Sequence, residues 1–268
     1  MRVDIFSDIH GNLPALGAVL DDAIGHGVET FWCLGDVVGY GPWPIQCWSA
    51  LRTLGLAKNA WVAGNHDLGL VEGLYGGHYF NGQYFNEAAK TVLDLHRELC
   101  RMSYPEIFEQ IKELPTIAEP QPGVILAHGS PKPEDPTWTV TKYTTSKTDA
   151  EQALADLGRA GLNPHLIVVG HSHYPLFWRR MTLADNSEPV WREEEPQGET
   201  PLGDLQQQTI YLNPGSLGQP RDGSEASYCY LDWETMTVCF RRTPYPRLQT
   251  KQKMLELGYP EKLICQWY

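Results

Sequence analysis

An α/β fold with strands of mixed direction is predicted by three features of this 268-residue sequence. Short β-type runs alternate with helical segments through the first two-thirds of the chain, the pattern of α/β layers. Beyond residue 205, β-type runs at 209–212, 227–231 and 237–241 follow one another with no room for crossover helices, which predicts antiparallel strands and a mixed sheet system. Each apolar run of the first part also ends in a short polar cluster beside glycine, as expected where strand ends carry a site.

The elements follow in order. Residues 2–6 read as a strand, then a polar turn, then a helix in which Leu13, Leu16, Leu20 and Ile24 recur at helical spacing. Asn12 is its N-cap, Pro14 sits in its first turn, and Gly25 and Gly27 stop it. A second strand at 31–34 leads through a Gly/Pro turn to a helix over 44–54 and a third strand at 61–63. Strands at 124–127 and 166–169 flank a helix that carries Ala153, Leu154 and Leu157 and opens on a capping box of Thr148 with Glu151. A short helix over about 248–257 completes the pattern. Residues 68–115 read as a helical, aromatic-rich cap insertion (Tyr75, Tyr79, Phe80, Tyr84, Phe85). Residues 185–204 hold seven acids against one arginine, with three prolines, and read as a solvated acidic loop. No repeat or linker divides the chain, so 1–268 is expected to be one domain.

Composition narrows the function. A net charge of −12 argues against extended nucleic-acid binding. No apolar run approaches the length of a membrane helix, and the stretch after Met1 is too short for a signal peptide. The six cysteines form no C-x-x-C pair or regular framework. A cytoplasmic location fits this reading best.

The polar clusters are Asp8 with His10 before Gly11 and Asn12, Asp36 after Gly35, Asn65, His66 and Asp67 after Gly64, His128 before Gly129, and His171 with His173 after Gly170. In extended backbone, residues two apart face one way, so Asp8/His10 and His171/His173 can each grip one site. Imidazoles, carboxylates and one amide, without thiolate, suit Mn, Fe, Zn, Co or Ni. Seven ligands exceed one tetrahedral ion but suffice for two sharing a carboxylate. Such a pair would retain about +2 of charge to attract phosphate and would make hydroxide near neutral pH. His26, His78, His96 and His165 lack this context and read as surface or satisfied core histidines.

The ordered set of motifs resembles the calcineurin-like metallophosphoesterase superfamily, and the runs SDIHGNLP at 7–14, GDVVGYGP at 35–42 and NPGSLGQPR at 213–221 resemble a small prokaryotic branch of it. The resemblance implies a four-layer αββα sandwich of two mixed sheets flanked by helices. It implies that Asp8, His10 and His173 hold one ion, that Asn65, His128 and His171 hold the other, and that Asp36 bridges them. His66 would steady the phosphate and protonate the leaving oxygen, with Asp67 orienting it. Arg221 is open to two readings, a bidentate grip on phosphate or a structural salt bridge, while Tyr40 reads first as a plain turn aromatic and alternatively as lining the pocket mouth.

The expected activity is two-metal hydrolysis of a small phosphodiester by a metal-bridging hydroxide, with manganese the first choice of ion. A phosphomonoester or phosphoprotein substrate is the alternative on the same site, and a metal-binding scaffold for protein interaction is the competing class.

Overall fold

Alternation along the first strand sets the layer plan. In β1 (Arg2–Phe6), Val3 and Ile5 face one core and Phe6 another. Next come α1 (Leu13–Gly25), β2 (Thr30–Cys33), α2 (Pro44–Leu54) and α3 (Asn65–Val71). A short hairpin of β3 (Gly73–Tyr75) and β4 (His78–Phe80) precedes α4 (Glu87–Ser103) and α5 (Ile107–Lys112). The middle of the chain holds β5 (Ile117–Gln121), β6 (Val124–Ala127), α6 (Pro136–Thr141), α7 (Lys147–Arg159), β7 (Leu166–Val168) and β8 (Pro175–Met181). The last part runs through β9 (Val190–Glu194), β10 (Gly198–Pro201), β11 (Gln208–Pro214), β12 (Ala226–Asp232), β13 (Thr237–Thr243), α8 (Arg247–Glu256) and α9 (Glu261–Ile264). This computed structural model describes residues 1–71, 73–75, 78–80, 85–182, 188–223 and 225–265. Tyr84 and Asp185 lie outside the described residues, as do the side chains of Tyr75, Tyr79 and Phe80.

The strands form a five-stranded sheet, β10-β13-β12-β1-β2, and a six-stranded sheet, β5-β6-β7-β11-β8-β9. Both are mixed: β1/β2, β6/β7 and β7/β11 are parallel, and the other neighbours in the two sheets are antiparallel. One core, including Val3, Ile5, Leu126, Val168, Leu212 and Leu231, fills the space between the sheets. A second covers the outer face of the five-stranded sheet with α1, α2, α4 and α5, and a third packs α7 on the six-stranded sheet through Ala150, Ala153 and Leu157. The result is the expected four-layer αββα sandwich. Burial on both faces explains why β6 and β7 are uniformly apolar.

Several local expectations are corrected. The third strand is only a bridge between Trp61 and Cys33, because Val62 still donates to Cys33 O while Ala63 N turns away to Pro115 O. The run at 209–212 does not pair with 227–231; it lies between β7 and β8 in the other sheet. Strand β8 went unread because two arginines, Arg179 and Arg180, interrupt its apolar pattern. The capping box of α7 is Ser146 with Asp149. Glu151 instead accepts from Arg180 and Trp191. Residues 68–115 are largely helical, with the β3–β4 hairpin added. The acidic stretch is not a loop: 190–194 and 198–201 are edge strands, one in each sheet. Charge suits a sheet edge because it discourages further pairing.

Buried Arg179 holds these edges. Its guanidinium donates to Glu194 at 2.8 and 3.2 Å, to the carbonyls of Leu202 and Pro201 at 2.5 and 2.9 Å, and to Gln208 Oε1 at 3.0 Å. Replacing Arg179 by Met would strand those acceptors. The expected loss is about 3 kcal/mol of unfolding free energy, measured by urea denaturation; a loss below 0.5 kcal/mol would rule out the clamp.

Candidate functional site

The polar clusters stand at the carboxyl ends of β1, β2, β6 and β7 and just after the Trp61 bridge, so the sheets gather them at one end of the sandwich. Beyond β1 and β2 the backbone pairing continues into the loops. Asp8 N donates to Gly35 O at 3.1 Å, His10 N to Asp36 O at 2.9 Å, and Gly11 N to Val37 O at 2.8 Å. The 213–221 turn closes the web from the other sheet. Leu217 N and Gly218 N donate to Ser7 O and Asp8 O at 2.9 Å each, and Asn213 Nδ2 donates to Gly170 O at 2.7 Å.

The expectation that Asp8/His10 and His171/His173 converge through extended backbone is wrong. Asp8, His10, Asp36, Tyr40, His171 and His173 all have positive φ, between 48° and 65°. Among the described residues, Met236 is the only other non-glycine residue in that region. Each costs on the order of 1 kcal/mol. Paired residues meet because both members turn left-handed within stitched loops. Gly64 is needed for close approach: a Cβ there would overlap Asp36 Oδ1 and its backbone nitrogen.

The donors fall into two main groups, Asp8–His10–His173 and Asp36–His128–His171. Asp8 Oδ1 lies 3.2 Å from His173 Nε2 and 3.7 Å from His10 Nε2. Asp36 Oδ2 stands between the groups, 3.3 Å from His128 Nε2 and 3.7 Å from His10 Nε2. Asn65 Oδ1 joins the second at 3.0 Å from His128 Nε2. These separations suit atoms sharing an ion at bond lengths of about 2.0–2.2 Å. The imidazoles are set by their far nitrogens. Nδ1 of His10, His128 and His173 bonds the carbonyls of Val38, Leu34 and Gln219 at 3.1, 2.7 and 2.7 Å, which leaves Nε2 free to coordinate. His171 is reversed: its Nε2 bonds Thr141 O at 3.1 Å, leaving Nδ1. Buried Asp8 Oδ1 has no hydrogen-bond partner, as a ligand atom awaiting a cation would. The donor set therefore fits divalent metal binding.

Electrostatics points the same way for Asp8, His10 and His171, whereas His128 keeps a proton that a bound ion would have to displace. Burial opposes charge on Asp8, yet the imidazoles of His173, His128 and His10 prevail and hold its carboxyl well below the usual range. Burial raises Asp36. Burial and neighbouring imidazoles hold His10, His66 and His171 far below their ordinary value, which leaves His10 and His171 neutral and ready to coordinate. His128 is raised to about 9: burial works against its charge, but Asp36 and Asp8 outweigh it.

A cavity of about 220 Å³ opens beside these groups, lined by Asn65, His66 and Arg221 among others. His66 also comes within reach of His10 and Asp36, and its Nδ1 is buried without a partner. Asp67 does not orient His66. Its oxygens accept from the backbone amides of Val37, Val38 and Gly64 at 3.0, 3.2 and 3.0 Å, which ties the Asp36 loop to α3. Arg221 lines the cavity, and the neighbouring Asp222 takes the salt bridge, with Arg242. Tyr40 is more than a turn aromatic: its ring packs 4.6 Å from His66 and 4.7 Å from His10. Phe85, Thr141 and Tyr143 also line the cavity. Neither Thr141 nor Tyr143 stood out, because neither belongs to a polar cluster.

Comparisons with known proteins agree with this geometry. The profile of the calcineurin-like phosphoesterase superfamily domain matches residues 1–236. An uncharacterised protein of Methanocaldococcus jannaschii is 32% identical over 269 residues, covering 97% of this chain and 95% of that protein. The crystal structure of a metallophosphoesterase from Sphaerobacter thermophilus is similar with a TM-score of 0.74 and 30% identity, covering 100% of this chain and 98% of that one. A hypothetical protein of Pyrococcus horikoshii OT3 shares the fold with a TM-score of 0.71 at 20% identity, covering 100% and 97%.

His96 is a satisfied core histidine, as its context predicts, and it braces the site. Gly39 N donates to its Nδ1 at 3.3 Å, so the ring proton sits on Nε2, 2.9 Å from Tyr259 Oη. Tyr259 in turn donates to Gly41 O at 3.4 Å. The pair thus grips the backbone on both sides of Tyr40, a circuit that requires neutral His96. Burial pushes His96 down to about 3. A group so depressed stabilises the fold fully above its unfolded value of about 6.5, and that stability is lost as pH falls from there toward 3. His96→Gln keeps an acceptor and a donor without the charge. Its unfolding free energy should fall less steeply between pH 6.5 and 4.5, by up to about 1.4 kcal/mol per pH unit. Parallel slopes for variant and parent would contradict the assignment.

Proposed function

The chain belongs to the calcineurin-like phosphoesterase superfamily, and from that premise we propose that it is a two-metal hydrolase of small phosphodiesters. The observation that carries this reading is the convergence of Asp8, His10, Asp36, Asn65, His128, His171 and His173 into two adjoining groups with Asp36 between them. Two divalent ions, manganese first, would supply polarisation of the phosphoryl oxygens and activation of water near neutral pH.

The protein's own groups do the rest. Asp36 is fixed for a bridging role by the bond from His66 N to its Oδ1 at 2.7 Å. Arg221 offers a guanidinium to a non-bridging phosphate oxygen. His66, held between the rings of Tyr40 and Phe85, is placed to protonate the leaving oxygen as the ester bond breaks, once the substrate's negative charge beside it offsets the burial that otherwise keeps its ring neutral. The diester preference rests on charge: Arg221 is the one cationic side chain lining the cavity among the described residues, and a diester presents one negative charge where a monoester presents up to two. No described helix is long and apolar enough to cross a membrane.

Metal-stripped protein should hydrolyse neither bis(p-nitrophenyl) phosphate nor p-nitrophenyl phosphate. Manganese should restore turnover, with the diester favoured; a monoester preference would transfer the assignment to phosphomonoesterase. Asp36→Asn should reduce bound metal well below about two ions per chain, because the shared ligand serves both, and elemental analysis would reveal full occupancy if it does not. His66→Ala should retain its metal and lose about a hundredfold or more in turnover on esters with poor leaving groups. Equal losses on activated and unactivated esters would remove His66 from the proton-donor role.

A further inference from the structure

One wall of the cavity has no part in the reaction as proposed. Tyr143 lies flat on the His171 imidazole, with ring centroids 4.0 Å apart and planes only 10° from parallel. His171 is itself held by Thr141 O. One face of Tyr143 is therefore covered by a ring held by that bond, while Tyr143 lines the cavity and 41% of the residue is exposed. The same cavity is lined by Phe85 and Tyr40, which pack on His66 at 4.8 and 4.6 Å. A site needing only a phosphoryl group and two ions has no use for an exposed, rigidly backed aromatic platform at its mouth. An aromatic ring on the substrate does, since planar rings gain most from offset stacking on a fixed partner.

We propose that Tyr143 is a specificity-determining residue that stacks a planar aromatic ring, aryl or nucleobase, carried by one ester arm of the substrate. This inference rests on the phosphodiesterase reading and names its substrate class. Arg221 would take the phosphate's charge, and Tyr143 would recognise the arm. Because every aryl group or base offers a π-face, such a platform selects a class rather than one compound.

Binding of stable phosphonates to the manganese-loaded protein, by calorimetry, tests the inference without turnover. Phenylphosphonate and cyclohexylphosphonate match in charge and approximate size but differ in planarity. Phenylphosphonate should bind about tenfold more tightly, the scale of one stacked ring. Tyr143→Leu should bring the ratio close to one with metal content unchanged, and Tyr143→Phe should preserve it. Equal binding by the unaltered protein, or a preference that survives in Tyr143→Leu, would overturn the inference and leave the phosphodiesterase reading standing. Failure of both phosphonates to bind would overturn the inference. If diester hydrolysis were absent as well, the reading beneath it would fall too.

Discussion

The register between β1 and β2 is the constraint on which the site depends. Phe6 lies opposite Cys33 in that parallel pair, and the pairing runs on past the strands through Asp8 with Gly35 and His10 with Asp36. Asp8 and His10 of the first group are thereby placed beside Asp36 of the second by sheet-like hydrogen bonding, before any metal contributes. A one-residue slip would turn Val3 and Ile5 out of the inter-sheet core, so the hydrophobic effect that holds the sandwich together also enforces the ligand geometry. The site inherits its accuracy from the core.

That inheritance has a cost concentrated in a few residues. Six non-glycine residues of the site sit in left-handed backbone, and Asp8, Asp36 and Asp67 are buried within one small region. Strain and clustered buried carboxyls of this kind persist only where the surrounding structure leaves no alternative. Here that structure is a set of loops bonded to one another: Asp67 to three amides, Ser216 Oγ to Asp8 O, Gln219 O to His173, and the His96–Tyr259 pair across Tyr40. Many of these groups are uncharged backbone; the His96–Tyr259 link is the member that depends on a neutral imidazole.

Much of this was legible in the sequence, and the failures share a cause. Strand 2–6, helix 44–54 and strand 124–127 coincide with β1, α2 and β6 because each rests on local periodicity and local punctuation. The metal-type residues could be read because each is a rare chemistry placed after an apolar run. What escaped was non-local. The acidic stretch has no apolar alternation, and its two strands exist because sheet edges and Arg179 accept them. Asp67 sits next to His66 in sequence, but its partners lie about thirty residues away in the Asp36 loop as well as at Gly64. The i, i+2 argument for Asp8 and His10 reached the right convergence through the wrong conformation, since nothing local announces left-handed aspartate or histidine.

His171 differs from the other imidazole donors in what stands behind it, and the difference bears on how such a site diversifies. His10 and His173 are anchored through Nδ1 to the carbonyls of Val38 and Gln219, both within loops stitched to the sheet ends. His171 is anchored through Nε2 to Thr141, at the end of α6, and backed by Tyr143 just beyond it. A change in the loops around His10 disturbs the core register. A change around α6 alters the cavity wall and reaches the donors through the His171 imidazole and through Gly129 N and Ser130 N, which donate to Thr139 O and Lys142 O just after His128. Substrate choice can therefore shift along α6 and the segment that follows it without dismantling the donor set, because the element that shapes the wall is not the one that sets the register.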